Sequence, residues 1–145
     1  MSPDFIFNTT NTIALLGWIV LILLAPFWVE TDKLLIGVVI ALLAIVYAWC
    51  ISQSFNAGDM EKFSTLDGLM SLFTSKIAVT AGWVHYLAFD LMTGIWIRKN
   101  AEKHGFNPWV VVPALLLTFM LGPVGLLTYL VMRTIKTKQY FAGNF

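Results

Sequence analysis

Two stretches of the chain, Ile13–Val29 and Leu34–Ile51, run without a single charged residue. At about 1.5 Å of rise per residue, each is close to the length a helix needs to cross a hydrocarbon core of roughly 30 Å. Only Glu30, Thr31, Asp32 and Lys33 separate them, so they read as an antiparallel helical hairpin. The chain as a whole agrees: its 145 residues are 59% hydrophobic and 12% charged, with a mean hydropathy of +0.80. That balance excludes an ordinary soluble domain. A formal net charge of +1 gives no reason to invoke nucleic acid as a partner. Cys50 is the one cysteine, which rules out an internal disulfide. Met1 to Thr12 carries Asp4 but no lysine or arginine, and no small-residue cleavage signal follows. The first apolar run is therefore expected to be a retained membrane helix and not a secretory signal.

Two further apolar runs follow, about 77–97 and about 109–132. The expected fold class is an all-α membrane protein, a single domain over 1–145. It would be a four-transmembrane-helix bundle with spans at about 13–29, 34–51, 77–97 and 109–132. Between the second and third spans, Gln53, Ser54, Asn56, Gly58, Asp59, Glu61, Lys62 and Asp67 interrupt the apolar pattern. Ser64 followed three residues later by Asp67 has the form of a capping box. Leu66, Leu69, Met70 and Phe73 then recur on one helical face, predicting a short amphipathic helix at about 65–74 that lies at the interface or against the mouth of the bundle.

The third span carries the residues with chemistry. Asp90 is the one acid inside any of the long apolar runs, and His85 lies five residues before it. An aspartate at the centre of a spanning helix costs roughly 2.5–3.5 kcal/mol, while each large apolar residue offsets only about 0.3–0.6 kcal/mol. A group held at that depth is a functional candidate and is expected to face the bundle interior. At 100° per residue, Trp83, Tyr86, Asp90, Thr93 and Gly94 share one side, and His85 falls with Gly82, Phe89 and Met92. His85 and Asp90 are expected to border one wide cavity without bonding directly, with Tyr86 the nearer partner of the acid. Arg98 lies two turns beyond. The fourth span contains Pro113 and the run Gly122-Pro123-Val124-Gly125, which predicts a kinked helix that a neighbouring backbone can approach closely.

With four spans, Lys62, Lys76, Arg133, Lys136 and Lys138 fall on the side of both termini and the connector, and Lys33, Arg98, Lys99 and Lys103 on the other. Five against four is a small bias toward both termini in the cytoplasm or its equivalent.

Several of these pieces in order carry a resemblance. They are Phe63-Ser64-Thr65-Leu66-Asp67-Gly68, Leu72-Phe73, the stretch Gly82 to Leu91 with Gly94 and Trp96, and Gly122-Pro123-Val124-Gly125-Leu126-Leu127 closing on Tyr129, Leu130 and Arg133. Together they resemble the abscisic-acid-deficient-four-like membrane family, whose plant members are plastid proteins required to make neoxanthin from violaxanthin. The resemblance implies a bacterial inner-membrane or plastid-membrane protein with a carotenoid or other isoprenoid lipid as ligand. It also implies a carotenoid isomerase chemistry that needs no cofactor. Opening a xanthophyll epoxide to an allenic alcohol is a net isomerisation: an acid protonates the epoxide oxygen, a base removes a proton from the polyene, and no electrons are exchanged.

On that implication, Asp90, desolvated and protonated, is the donor, His85 the base and Tyr86 their helper. Trp83, Phe89, Thr93, Gly94, Trp96, Gly122 and Pro123 are the candidate substrate-binding positions. Two other functions use the same residues. His85 could ligate haem, which would require a second copy across a homodimer because His104 lies about 19 residues away. A non-catalytic subunit or assembly factor would hold a lipid or pigment without converting it. Asp90 would then simply hydrogen-bond to another helix, for about 0.6 kcal/mol, and Trp28, Trp96 and Trp109 would anchor helix ends at the interface.

Overall fold

The computed structural model describes residues 1–28 and 30–141, and these are mostly helical with no β-strand among them. Helix α1, Pro3–Leu24, and helix α2, Thr31–Ser54, are each long and apolar enough to cross a membrane. A 3-10 helix, Ala57–Ser64, and a short α3, Leu66–Leu72, form the connector. Helix α4 is the longest, Lys76–Lys103. It is followed by α5, Pro108–Leu121, and α6, Pro123–Thr137.

α1 begins ten residues before the expected span. Ser2 caps it by accepting from the Phe5 N–H at 3.3 Å, Pro3 occupies the first turn without losing a bond, and Asp4 meets the positive helix end. The polar run Asn8 to Thr12 survives inside a helix because its hydroxyls bond back to the preceding turn. Thr10 donates to the Ile6 carbonyl at 2.8 Å and Thr12 to the Asn8 carbonyl at 3.0 Å. At the other end of α1 the ladder widens, with the Ala25 N–H reaching the Val20 carbonyl five residues back. Val29, the expected end of the first span, lies outside the described residues.

α1 and α4 run side by side in the same direction. Asp4 pairs with Lys76 at 3.2 Å at the lower end, Asn11 accepts from the Trp83 indole at 2.8 Å, and the Arg98 guanidinium donates to the Ala25 carbonyl at the upper end. α2 descends between them. Leu35 packs with Trp18, Leu21 and Leu91, Leu43 with Ala14 and Val84, and Cys50 with Ile6 and Ala81. Small residues let the axes approach. A Cβ added at Gly94 would come within 2.5 Å of the Trp18 ring, so this glycine is buried as a seat for α1. The outer faces of α1 and α2 stay apolar, with Leu16, Leu23, Val38 and Ile45 all exposed.

The expected fourth helix is instead two helices that double back. α5 starts at the upper end, where Val111 and Leu115 join the core with Leu21, Ile97 and Ala101. Its 14 residues descend about 21 Å, half the roughly 42 Å of α4. At Gly122 the backbone takes φ +41° and the chain turns round. The reason is a stop and a start side by side. Glycine at φ above zero ends a helix without the cost a side chain would bring, and proline at the first position of the next begins one. Gly125 lies directly against the backbone of Thr118, which keeps the two arms in contact.

α6 then climbs to the upper end. There Tyr129 donates to Asn100 Oδ1 at 2.6 Å, the buried Arg133 donates to the same oxygen at 3.1 Å, and the Lys136 ammonium donates to the Gly105 carbonyl. The described C-terminal residues therefore share the end of Lys33 and Arg98, and the expectation that both termini lie at one end is corrected.

The connector is also shifted from expectation. Thr65, not Ser64, caps α3, accepting from the Gly68 N–H at 3.1 Å. The capping box is formed earlier, by Asn56 and Asp59, and Lys62 pairs with Asp59 at 2.7 Å. Leu72 is the buried residue of α3, while Leu66 and Met70 stay exposed.

Candidate functional site

The acid at the centre of α4 is met by the tip of the α5–α6 hairpin. Asp90 is 8% exposed, and a Cβ added at Gly122 would come within 2.5 Å of its Oδ1. Glycine is thus required at 122 twice, for the turn and for the carboxyl. Asp90 Oδ2 is buried and finds no hydrogen-bond partner among the described residues. The N-terminus of α6 opens beside the carboxyl, and a helix N-terminus favours negative charge. One turn below, the Tyr86 hydroxyl donates to the Met120 carbonyl at 3.1 Å and interacts with Asp90. A protonated Asp90 can donate toward this phenol oxygen, and an ionised one faces the helix terminus. Each protonation state therefore has a neighbour that suits it.

The hairpin reaches only half-way, so the face of α4 below its tip is uncovered. Trp83 stacks on Tyr86 with ring centres 5.4 Å apart, and Phe7 of α1 lies 5.7 Å from Trp83. Phe89, Met120 and Leu121 are all exposed at the tip's level. Above it, Met92, Thr93 and Trp96 of α4 and Leu126 and Leu130 of α6 line an open groove of about 380 Å³. Tyr86, Phe89, Thr93 and Trp96 follow helical spacing, so an apolar strip runs along α4 past the edge of the Asp90 site.

The other expected site residues do different things. His85 is exposed and faces α2 and the connector. Its ring lies 5.5 Å from Tyr47 and 4.5 Å from Phe89, and it walls an apolar cavity of about 210 Å³ with Ile51, Phe55, Phe63 and Phe73. Asp90 borders the hairpin and His85 borders this cavity, so among the described residues the two side chains meet different elements. Gly94 is buried under Trp18 and lines no groove. Trp96 is half-buried with its ring edge-on to Tyr129 at 5.9 Å. Pro123 is exposed at the first position of α6. Arg98 does not reach toward Asp90; it and Lys99 turn to Asp32, at 3.7 and 2.6 Å. No group of three metal-ligating side chains occurs among the described residues.

Asn11 and the Met120 carbonyl were missed as members of the site. Asn11 carried a signal, since it belongs to a polar run in an otherwise apolar helix. The carbonyl carried none, because only the fold brings it to Tyr86.

The ABA DEFICIENT 4-like family model matches residues 5–129. No curated protein and no solved structure matches the chain. The matched stretch holds α1 through Tyr129, including Asp90, Tyr86 and the Gly122 turn that encloses them, and the chain belongs to the ABA DEFICIENT 4-like family.

Proposed function

We propose that the protein is a multi-pass membrane protein that holds a slender isoprenoid, of carotenoid type, against α4 and isomerises it by proton transfer at Asp90. The observation that carries this is the Asp90 carboxyl, enclosed by a half-height hairpin, with one oxygen unpartnered and an aromatic strip at its side. A buried polar atom without a partner costs about 1–3 kcal/mol. The apolar outer faces of α1 and α2 suit lipid.

In this scheme the carboxylic acid of Asp90 protonates the epoxide oxygen and the C–O bond opens. The resulting carboxylate, directly or through the Tyr86 hydroxyl, then takes a proton from the adjacent polyene carbon. The acid is restored, and no electron acceptor is needed. His85 has no part in it, because its ring turns to Tyr47 and the connector cavity and not to the hairpin. Trp83 and Tyr86 give flat surfaces to the polyene, and the groove at Thr93 and Trp96 takes its continuation.

Lipid and pigment analysis of purified protein tests the binding half. The wild type and Asp90→Asn should both retain an isoprenoid in stoichiometric amount, and Trp83→Ala should retain much less. Recovery of bulk phospholipid alone from all three would refute it. A Soret absorption band would instead support haem at His85, and bound pigment that is never converted would support a carrier or assembly role.

A further inference from the structure

The turn at Gly122 also decides where the charge of the molecule lies. Because α6 climbs back to the end where α4 finishes, Arg133, Lys136 and Lys138 join Lys33, Arg98, Lys99 and Lys103 there. Only Lys62 and Lys76 remain at the other end. The acids divide in the opposite sense. Glu30, Asp32 and Glu102 are at the upper end, and Asp4, Asp59, Glu61 and Asp67 at the lower. Four full spans would have split the basic residues five to four; the hairpin splits them seven to two.

Exposed aromatic side chains flank both ends, Phe5, Trp49 and Phe63 at the lower one, and those of the upper end sit beside its basic residues. Phe27, Trp28 and Trp109 are exposed at the level of the α1–α2 loop and the start of α5. Exposed tryptophans beside lysines at helix ends are the pattern of a membrane–water interface. Lys33 and Lys99 are themselves well exposed, so they are available to headgroups as well as to their carboxylate partners.

We infer that α1, α2 and α4 cross the bilayer and that α5–α6 is a re-entrant hairpin. The basic upper end is the surface that meets the anionic headgroups of the leaflet facing the cytoplasm or its topological equivalent. The N-terminus then lies on the opposite side from Arg133 and Lys138. Non-spanning helix ends are tolerated at depth only when protein covers them. Here the inner side of the reversal is covered by α4, with Asp90 against Gly122 and Tyr86 bonded to the Met120 carbonyl, and the outer side shows the apolar side chains Met120, Leu121 and Val124. Anionic lipid attracts lysine and arginine near the surface, and the excess of these residues in short loops sets the inward side.

The inference rests on the membrane reading proposed above, and one experiment separates the two. The variants Ser2→Cys, Gln53→Cys and Gln139→Cys, each adding one cysteine to the native Cys50, are expressed in a bacterial inner membrane and exposed to a membrane-impermeant maleimide, in right-side-out and in inverted vesicles. The parent chain, whose Cys50 is buried, is the blank. Ser2→Cys and Gln53→Cys should label only in right-side-out vesicles, and Gln139→Cys only in inverted ones. Labelling of Gln139→Cys from the same side as Ser2→Cys would overturn the re-entrant hairpin. Labelling from opposite sides with Gln139→Cys outward would overturn the charge-set orientation while leaving the hairpin intact. Release of the protein from the vesicles by alkaline carbonate would instead refute the membrane reading itself.

Discussion

Two ionisable groups five residues apart on α4 live in opposite surroundings. Asp90 is closed in by the reversal of the α5–α6 hairpin and has an oxygen with no partner. His85 is exposed beside Tyr47 and Phe89, where neither ring nor cavity demands a charge. Along one helix, then, sequence proximity says little about shared chemistry; what decides it is which neighbouring element each residue meets. On the Asp90 side the glycines meet backbone and a buried carboxyl, and on the His85 side Gly82 meets only the Phe73 side chain.

That contrast can be broken by substitution, and the largest effect belongs to Gly125. A side chain there must enter the backbone of Thr118, so Gly125→Leu should cost at least about 3 kcal/mol and abolish the hairpin. Its unfolding in detergent would lose the cooperative transition of the wild type. Gly122→Ala comes next. It places a methyl against Asp90 and a side chain at φ +41°; backbone strain of this kind costs about 1–3 kcal/mol. A clear fall in thermal midpoint is expected, and an unchanged midpoint would mean that the carboxyl does not touch the turn.

Tyr129→Phe removes one donor to Asn100 while Arg133 keeps its own bond to the same oxygen. About 1 kcal/mol should be lost, read as a modest shift in the same melt. The smallest effect is His85→Ala. The ring is exposed, so its aromatic contacts should fall at the low end of the roughly 0.5–1.5 kcal/mol of an aromatic pair. A loss comparable to that of Gly122→Ala would show that the two faces are not as different as their burial implies.

Much of the helical layout is legible in residue pattern alone. Two charge-free runs announce α1 and α2, and Asp90 with Tyr86 one turn away stands out against the apolar background of α4. The start of α1 is hidden because Asn8 to Thr12 looks like a polar leader. Only the hydroxyl bonds back to the preceding turn reconcile those residues with a helix. The reversal at Gly122 is hidden for a different reason. Glycine followed by proline inside an apolar run fits a kink and a hairpin equally well, since hydropathy records the solvent a segment prefers and not the direction in which it travels. The distinguishing contacts, Gly125 on Thr118 and Tyr129 on Asn100, join residues whose meeting no local pattern dictates. That His85 meets α2 and the connector while Asp90 meets the hairpin is hidden as well, because angular separation on a wheel does not tell which sector a neighbouring helix will fill.

Product analysis in a host whose carotenoid composition depends on the protein tests the central claim most directly, with Asp90→Asn and His85→Ala expressed to the wild-type level. Asp90→Asn should lower conversion by roughly 10²–10⁴-fold, the usual contribution of a positioned acid or base, and His85→Ala should leave it within about twofold, as a substitution outside the site does. Full conversion by Asp90→Asn, or a loss confined to His85→Ala, would contradict the account.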